Sequence, residues 1–333
     1  MKYKAYKKWL ILGLKALLIV GILRYLISGI EWKSFIQALD GYSMIPLMIG
    51  ILLIILNDII QGARWRFLTR GQCSLQASFE SIVVGGFLNV ILPAKLGEVS
   101  RLIYLRNLYN YPINYGVSSM VIERSADLFM IACFLAAGAG IASGSVILQV
   151  SSVLFAIVMV GIIFAMKIGK GKLLRSFLQR IPIRFIRIYS QKIVRLIVRD
   201  LGIKRTLWVL GYTLFLRGIY FFTVAFFINQ VASFDLSLGE LFVIYLVSSI
   251  AFAIPLAPGG AGTFHAGMVM AMGWYGVMKE EALAIAIVFH LLINLVPIFL
   301  ALIIIVIKKI PLSRMVRIDE KSIKILNVME NEK

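Results

Sequence analysis

Cysteine and histidine are scarce: two of each in 333 residues, Cys73 and Cys133, His265 and His290. Two cysteines build no disulfide framework and no thiolate metal cluster. The histidines lie too far apart for an HExxH zinc site. Acidic residues are also few, 16 against 35 Lys and Arg, and charged residues of both signs make up only 15% of the chain while 60% is hydrophobic. That ratio excludes an ordinary soluble domain. The surplus of 19 positive charges would suggest nucleic acid in a soluble protein. Here most basic residues sit between long apolar runs, so a polytopic membrane protein with basic cytoplasmic loops is expected, and nucleic acid is not a partner.

What is present is apolar sequence in lengths that match a bilayer. About 20 apolar residues cross a hydrocarbon core of about 30 Å, and spans are expected at 9–28, 43–65, 115–141, 146–166, 206–230 and 282–307. The first follows MKYKAYKKW and lacks a small-residue cleavage site, so it is read as a retained signal anchor. Two further stretches, 77–111 and 240–277, are interrupted by LPAKLGE (Leu92 to Glu98) and PLAPGGAG (Pro255 to Gly262). Pro and Gly stop a helix there, and the arms are short for full crossings. The expected fold is all-α: about six transmembrane helices plus two re-entrant broken hairpins.

Charge orients this arrangement. Lys2, Lys4, Lys7, Lys8, Arg64, Arg66, Arg70, twelve basic residues in the segment 167–205 and the tail 308–333 fall on one side. The other side carries Glu31, Asp40, Asp235, Glu240, Glu280 and Glu281, offset by Lys33 and Lys279. The first side is therefore cytoplasmic, with both termini, in a multi-pass cell (inner, cytoplasmic) membrane protein. The segment 167–205 interleaves Arg and Lys with Ile, Leu, Phe and Val, as an amphipathic helix on anionic headgroups would.

Pro93 and Pro258, and Gly97 and Gly262, share one offset of 165 residues, and the flanking spans follow it. One integral membrane domain is expected: a first half 9–166, the loop 167–205, a second half 206–307 and the tail. The halves would form an inverted repeat, whose Gly/Pro-broken segments mark a transport site near the midplane. The plainer reading is two kinked helices.

Ionisable residues at membrane depth face a bundle interior or an aqueous cavity. Glu123 and Asp127 share a helix face, with Arg124 beside them, and Arg217 lies about 17 Å into its span. The first break adds Asn89, Pro93, Lys95, Gly97, Glu98 and Arg101; the second adds Pro258, Gly259, Gly260, Gly262, Thr263 and His265. Half-helices starting at the breaks would turn free amides toward an anionic headgroup. For Arg124 and Arg217, a structural ion pair and direct phosphate contact are both open. Asn57, Asp58 and Arg64 are placed at the end of their span, snorkelling or pairing at the interface.

FLNVILPAKLGEVSRLIYL, VIERSADLF and PLAPGGAGTFHAG together resemble the signature segments of the lysylphosphatidylglycerol synthase transmembrane (flippase-like domain) family over roughly residues 10–310. The resemblance implies lipid translocation between leaflets, with Pro93, Gly97, Glu98 and Arg101 of LPAxxGExxR and Glu123, Arg124 and Asp127 of ERxxD as carried-over positions. The sequence ends at Lys333 without the family's soluble aminoacyltransferase domain, so synthesis of lysyl lipid is not expected. His265 stands where the family often has an acidic residue.

The expected function is translocation of an anionic lipid, a phospholipid or a polyprenyl-phosphate-linked glycolipid. An ion-coupled carrier of a small polar solute, and a non-transporting partner of a glycosyltransferase or lipid-synthesis enzyme, are the alternatives. An enzyme is not expected, since HExxH, GxSxG and paired metal carboxylates in the outer loops are missing, and no cofactor or metal is expected.

Overall fold

The computed structural model describes residues 17–92, 96–143, 202–254, 256–311 and 313–316. The expected span at 146–166, most of the basic loop and most of the tail lie outside these residues.

All the described secondary structure is helical. The order is α1 (Leu17–Ile27), α2 (Trp32–Asp40), α3 (Met44–Leu68), α4 (Leu75–Ile91), α5 (Leu96–Tyr109), α6 (Ile113–Ser143), α7 (Ile203–Phe226) running into a π turn (Phe227–Val231), α8 (Leu238–Ala253), α9 (Thr263–Gly273), α10 (Lys279–Lys308) and α11 (Ser313–Val316). Three of these, Met44–Leu68, Lys204–Val231 and Lys279–Lys308, are long and apolar enough to cross a bilayer, and shorter apolar helices accompany them. The 31-residue α6 is longer still. The chain is thus an all-α polytopic membrane protein.

The breaks fall where Pro and Gly placed them. α4 and α5 stop and restart between Ile91 and Leu96, and α8 and α9 are separated by Ile254–Gly262, which contains a single 3₁₀ turn, Pro258–Gly260. The arms are 17, 14, 16 and 11 residues long. At about 1.5 Å per residue the shortest reaches only about 16 Å. The 165-residue offset carries α6 closely onto α10 and α4 onto α8. Several boundaries differ from expectation by two or three residues. α3 runs three residues past Trp65, and Ile203–Arg205, assigned to the loop, begin α7. The amphipathic α2 was not expected, because its apolar residues are too few to stand out on a bilayer-length scale.

The chain divides into two compact units. The first gathers Met1–Asp58, Glu80–Arg101 and Ile219–Lys333. In it α9 packs between α8 and α10, and α2 lies on α10. Ser237 and Glu240 form a reciprocal capping box that starts α8, Glu240 accepting from Ser237 N at 2.8 Å. The core is aromatic: Phe227 meets Phe289 edge-on at 4.9 Å, and Phe264 stacks on Phe289 at 5.9 Å. Lys279 Nζ donates to Tyr25 O and Ser28 O at 2.5 and 2.7 Å, neutralising the carbonyl end of α1. The second unit, Ile59–Phe79 with Leu102–Gly218, closes around Trp65, Tyr104 and Leu105, all fully buried. Gly62 allows the α3 backbone to approach Phe79 so nearly that a Cβ there would sit 2.9 Å from Phe79 Cα.

Candidate functional site

In the second unit, three helices direct charged side chains at one point. Glu123 and Asp127 lie one turn apart on α6, as their spacing requires. Between them sits Arg64 of α3, whose Nη2 donates to Glu123 Oε1 at 2.7 Å and whose Nη1 donates to Asp127 Oδ1 at 2.8 Å. The Arg64, Glu123 and Asp127 side chains are 2%, 0% and 7% exposed. Arg64 Nη1 also donates to Thr213 Oγ1 of α7 at 3.2 Å, and that hydroxyl donates in turn to Val209 O. Arg217, one turn after Thr213, brings Nη2 to 3.4 Å from Asp127 Oδ1. Arg124 reaches Asp127 Oδ2 at 3.4 Å and Glu123 Oε1 at 3.9 Å.

Of the two sequence readings of Arg64, pairing is met and snorkelling is not, since the side chain is sealed. The expected span ended at residue 65, which put Arg64 at its rim; α3 continues to Leu68, so Arg64 lies a full turn inside. The ion-pair reading of Arg124 and Arg217 is met in the structure, but Arg64 is the central cation. Its signal was a charged residue in an apolar helix two positions after a glycine, at helical spacing from the polar pair Asn57 and Asp58.

Among the described residues the site brings three guanidinium groups to two carboxylates. Arg64 is sealed, whereas the Arg124 and Arg217 side chains are 41% and 21% exposed. Such an arrangement is stable only while the anions stay paired, because removing one member of a buried pair costs about 3–5 kcal/mol. The exposed guanidinium groups present planar donor forks of the kind that bind phosphate oxygens.

The first unit contains the two breaks. Pro93 and Lys95 lie outside the described residues. Gly97, in the first turn of α5, meets α4 backbone to backbone; a Cβ there would fall on the Gly85 carbonyl oxygen and 2.5 Å from Asn89 N. Asn89 Oδ1 is buried without a hydrogen-bond partner. Arg101 is 3% exposed, and Glu98 lies one turn before it. At the second break Gly259, Gly260 and Gly262 take φ of 63°, 75° and 80°, which a β-carbon disfavours. The breaks adjoin: a Cβ on Gly259 would lie 3.2 Å from Asn294 Oδ1 and 3.9 Å from Val90 Cγ2 at the end of α4.

Two residues that sequence reasoning left unused complete this part. His290 Nε2 donates to Gly259 O at 2.8 Å, and Asn294, one turn on, donates to His290 O at 2.7 Å. His265 Nδ1 accepts from Gly262 N at 3.2 Å, and the imidazole centroids are 4.6 Å apart. Thr263 Oγ1 donates to Gly260 O. Both histidines thereby hold the glycine-rich break, and His290 with Asn294 could have been found as a polar i, i+4 pair just before Pro297 in an otherwise apolar helix. Among the described residues no group of three or more His, Cys, Asp and Glu is placed to hold a metal ion.

The chain is similar to other membrane proteins along most of its length. The chain is 24% identical over 322 residues to the UPF0104 membrane protein MJ1595 of Methanocaldococcus jannaschii, covering 89% of this chain and 94% of the relative. It is 30% identical over 219 residues to the UPF0104 membrane protein MJ1078 of the same organism, covering 62% and 87%. No solved structure matches it. The sequence model of the lysylphosphatidylglycerol synthase TM region matches residues 12–301, and the chain belongs to that family.

Proposed function

We propose that the protein moves an anionic lipid, a phospholipid or a polyprenyl-phosphate-linked glycolipid, between the leaflets of the cell membrane, without catalysing a covalent step. The observation that carries this reading is the exposed guanidinium surface of the arginine cluster. Arg124 and Arg217 pair with Asp127 and still keep exposed guanidinium surface in helices rich in apolar residues, where such planar donor forks bind phosphate oxygens. A lipid phosphodiester is an anion with oxygens that such forks can reach. Membership in the lysylphosphatidylglycerol synthase TM-region family supports an amphiphile as the cargo. In this reading both termini are cytoplasmic, the halves are inverted repeats within one membrane domain, and the lipid tail stays in the bilayer. A lipid-synthesis enzyme or glycosyltransferase that makes the lipid is the fitting partner.

The test is reconstitution into vesicles bearing a fluorescent phosphatidylglycerol in both leaflets, with a membrane-impermeant reductant added outside. Bleaching beyond the outer-leaflet half in protein-containing vesicles supports translocation; bleaching that stops at half rejects it.

A second reading, an ion-coupled carrier, draws on the His265–His290 pair at the second break. It requires that a pH gradient across the vesicle change the rate, whereas lipid scrambling alone is indifferent to the gradient.

A further inference from the structure

Three side chains hold the second break, and they differ in what a proton does to them. Thr263 Oγ1 donates to Gly260 O at 3.1 Å and His290 Nε2 donates to Gly259 O at 2.8 Å. A carbonyl only accepts, so Nε2 of His290 carries its proton there whether the ring is neutral or charged. His265 is the opposite case. Gly262 N donates to His265 Nδ1 at 3.2 Å. A backbone amide only donates, so Nδ1 presents its lone pair and the ring is neutral.

The place of His265 in its helix accounts for the bond. Gly262, with φ 80°, is the residue before α9, and His265 is the third residue of that helix. The side chain therefore reaches back to the N-cap amide, as Glu or Gln does in a capping box. The carbonyl oxygen of Glu or Gln accepts that bond in every charge state. An imidazole accepts it only while neutral, because a proton on Nδ1 sets one donor against another and the bond is lost.

The two rings are packed among apolar groups. Phe252 and Phe264 lie 6.3 and 5.3 Å from His290 between centroids, and Phe264 lies 6.0 Å from His265. The titratable groups of the surrounding helices stand off along their axes, by about 18 and 10 Å for Glu240 and Tyr245 from Phe252 on α8 and about 15 Å for Glu80 from Val90 on α4. On α10, Glu281 is about 14 Å before His290, with Glu280 and Lys279 beyond it, and Lys308 about 27 Å after it. Tyr220 of α7 meets Phe289. On α1, Ile22 lies over Gly262, and the next titratable groups, Arg24 and Tyr25, are exposed. The titratable group that touches His265 is His290, 4.6 Å away between centroids, and a second positive charge there would repel the first.

We propose that His265 Nδ1 is a proton-binding site that latches the second break. Neutral, it holds the Gly262 amide and fixes the turn into α9. Protonated, it releases that amide and loosens Gly259, Gly260 and Gly262 beneath Ile22 of α1 and beside Val90 of α4. Proton and bond exclude each other, so the released ring takes the proton with the ordinary imidazole pKa of about 6.5. The latch is complete above that pH and weakens below it, by about tenfold between pH 7.5 and pH 5.5 for one proton. The site stands whether or not the chain moves lipid across the bilayer.

The experiment is hydrogen–deuterium exchange of the full-length protein in detergent, read on overlapping peptides across residues 258–266 at pH 7.5 and 5.5. Protection is taken relative to the unstructured peptide at the same pH. In the unmodified protein, protection of the Gly262 amide should fall about tenfold at the lower pH. In His265→Gln, which keeps an acceptor and does not titrate, it should be the same at both pH values. In His290→Gln, whose amide still donates to Gly259 O, the fall should persist. Unchanged protection in the unmodified protein, a fall that survives in His265→Gln, or a fall abolished by His290→Gln would each overturn the proposal. If His265→Gln is already unprotected at pH 7.5, His265→Glu supplies the second acceptor. Protection equal at both pH values in that variant supports the latch; protection that is absent, or that still falls, overturns it. Exchange reports the backbone alone, so a protein that fails to translocate lipid leaves this result unaffected.

Discussion

Arg64 Nη2 on α3 lies 2.7 Å from Glu123 Oε1 on α6, with both side chains sealed from the surface at 2% and 0% exposure. A pair so placed ties two helices together through charge, and its worth depends on both partners being present. Arg64→Met removes the short contacts of Glu123 and Asp127 and should cost about 3–5 kcal/mol, read as a lower unfolding temperature in detergent. Arg64→Met/Glu123→Met removes one charge of each sign and should recover most of that loss. A single variant that melts like the unmodified protein would mean that the pair is not buried.

The first break makes a steric prediction. Gly97→Ala places a methyl group on the backbone of α4 at Gly85 and Asn89, so the two arms must separate, at a cost of about 1–3 kcal/mol. Gly211 on α7 has nothing within 4 Å of a built Cβ. Gly211→Ala should therefore hold or raise stability, by up to about 1 kcal/mol, since alanine is the better helix former. Thermal unfolding of the two variants side by side separates them; equal behaviour would remove the close approach.

Cys73 lies in the loop after α3 and is 2% exposed. Burial pushes its thiol up to about 11, opposed in part by a hydrogen bond with Thr69. A raised pKa keeps the thiol protonated until the pH approaches that value, and only the thiolate is alkylated. In a Cys133→Ser background at pH 8, iodoacetamide should modify Cys73 on the order of 100-fold more slowly than a cysteine at the exposed neighbour Ser74. Labelling should become fast once the chain is unfolded in detergent. Comparable rates in the folded protein would contradict the burial.

Much of this was legible in the sequence, and the exceptions share a cause. The breaks at LPAKLGE and PLAPGGAG follow from Pro and Gly alone, and the common face of Glu123 and Asp127 follows from four-residue spacing. Arg64 was misplaced because hydropathy ends a span at its first charges, while a helix continues as long as partners across the bundle compensate them. His290 and Asn294 were passed over because their partners are backbone carbonyls, Gly259 O for His290 and His290 O for Asn294, and no side-chain motif encodes a carbonyl. α2 was missed because its nine residues are too short for a bilayer-length window.

The charge asymmetry makes a prediction about orientation. Cysteines at Gln72 and Ser233, both exposed, in a Cys73→Ser/Cys133→Ser background, should label from opposite sides of sealed vesicles, Gln72→Cys from the cytoplasmic side. Labelling of both from one side would overturn the charge-based orientation.

The measurement that bears most directly on the arginine cluster is lipid translocation by Arg124→Gln/Arg217→Gln in reconstituted vesicles, with insertion and unfolding temperature checked in parallel. Both residues keep exposed guanidinium surface, and Arg64 still pairs with Glu123 and Asp127 in the variant, so the fold should persist. If these exposed guanidinium groups receive the lipid phosphate, translocation of fluorescent phosphatidylglycerol should fall at least tenfold in a protein that inserts and melts normally. Translocation at the unmodified rate in that variant would contradict the assignment and leave the arginines as structural partners of Asp127.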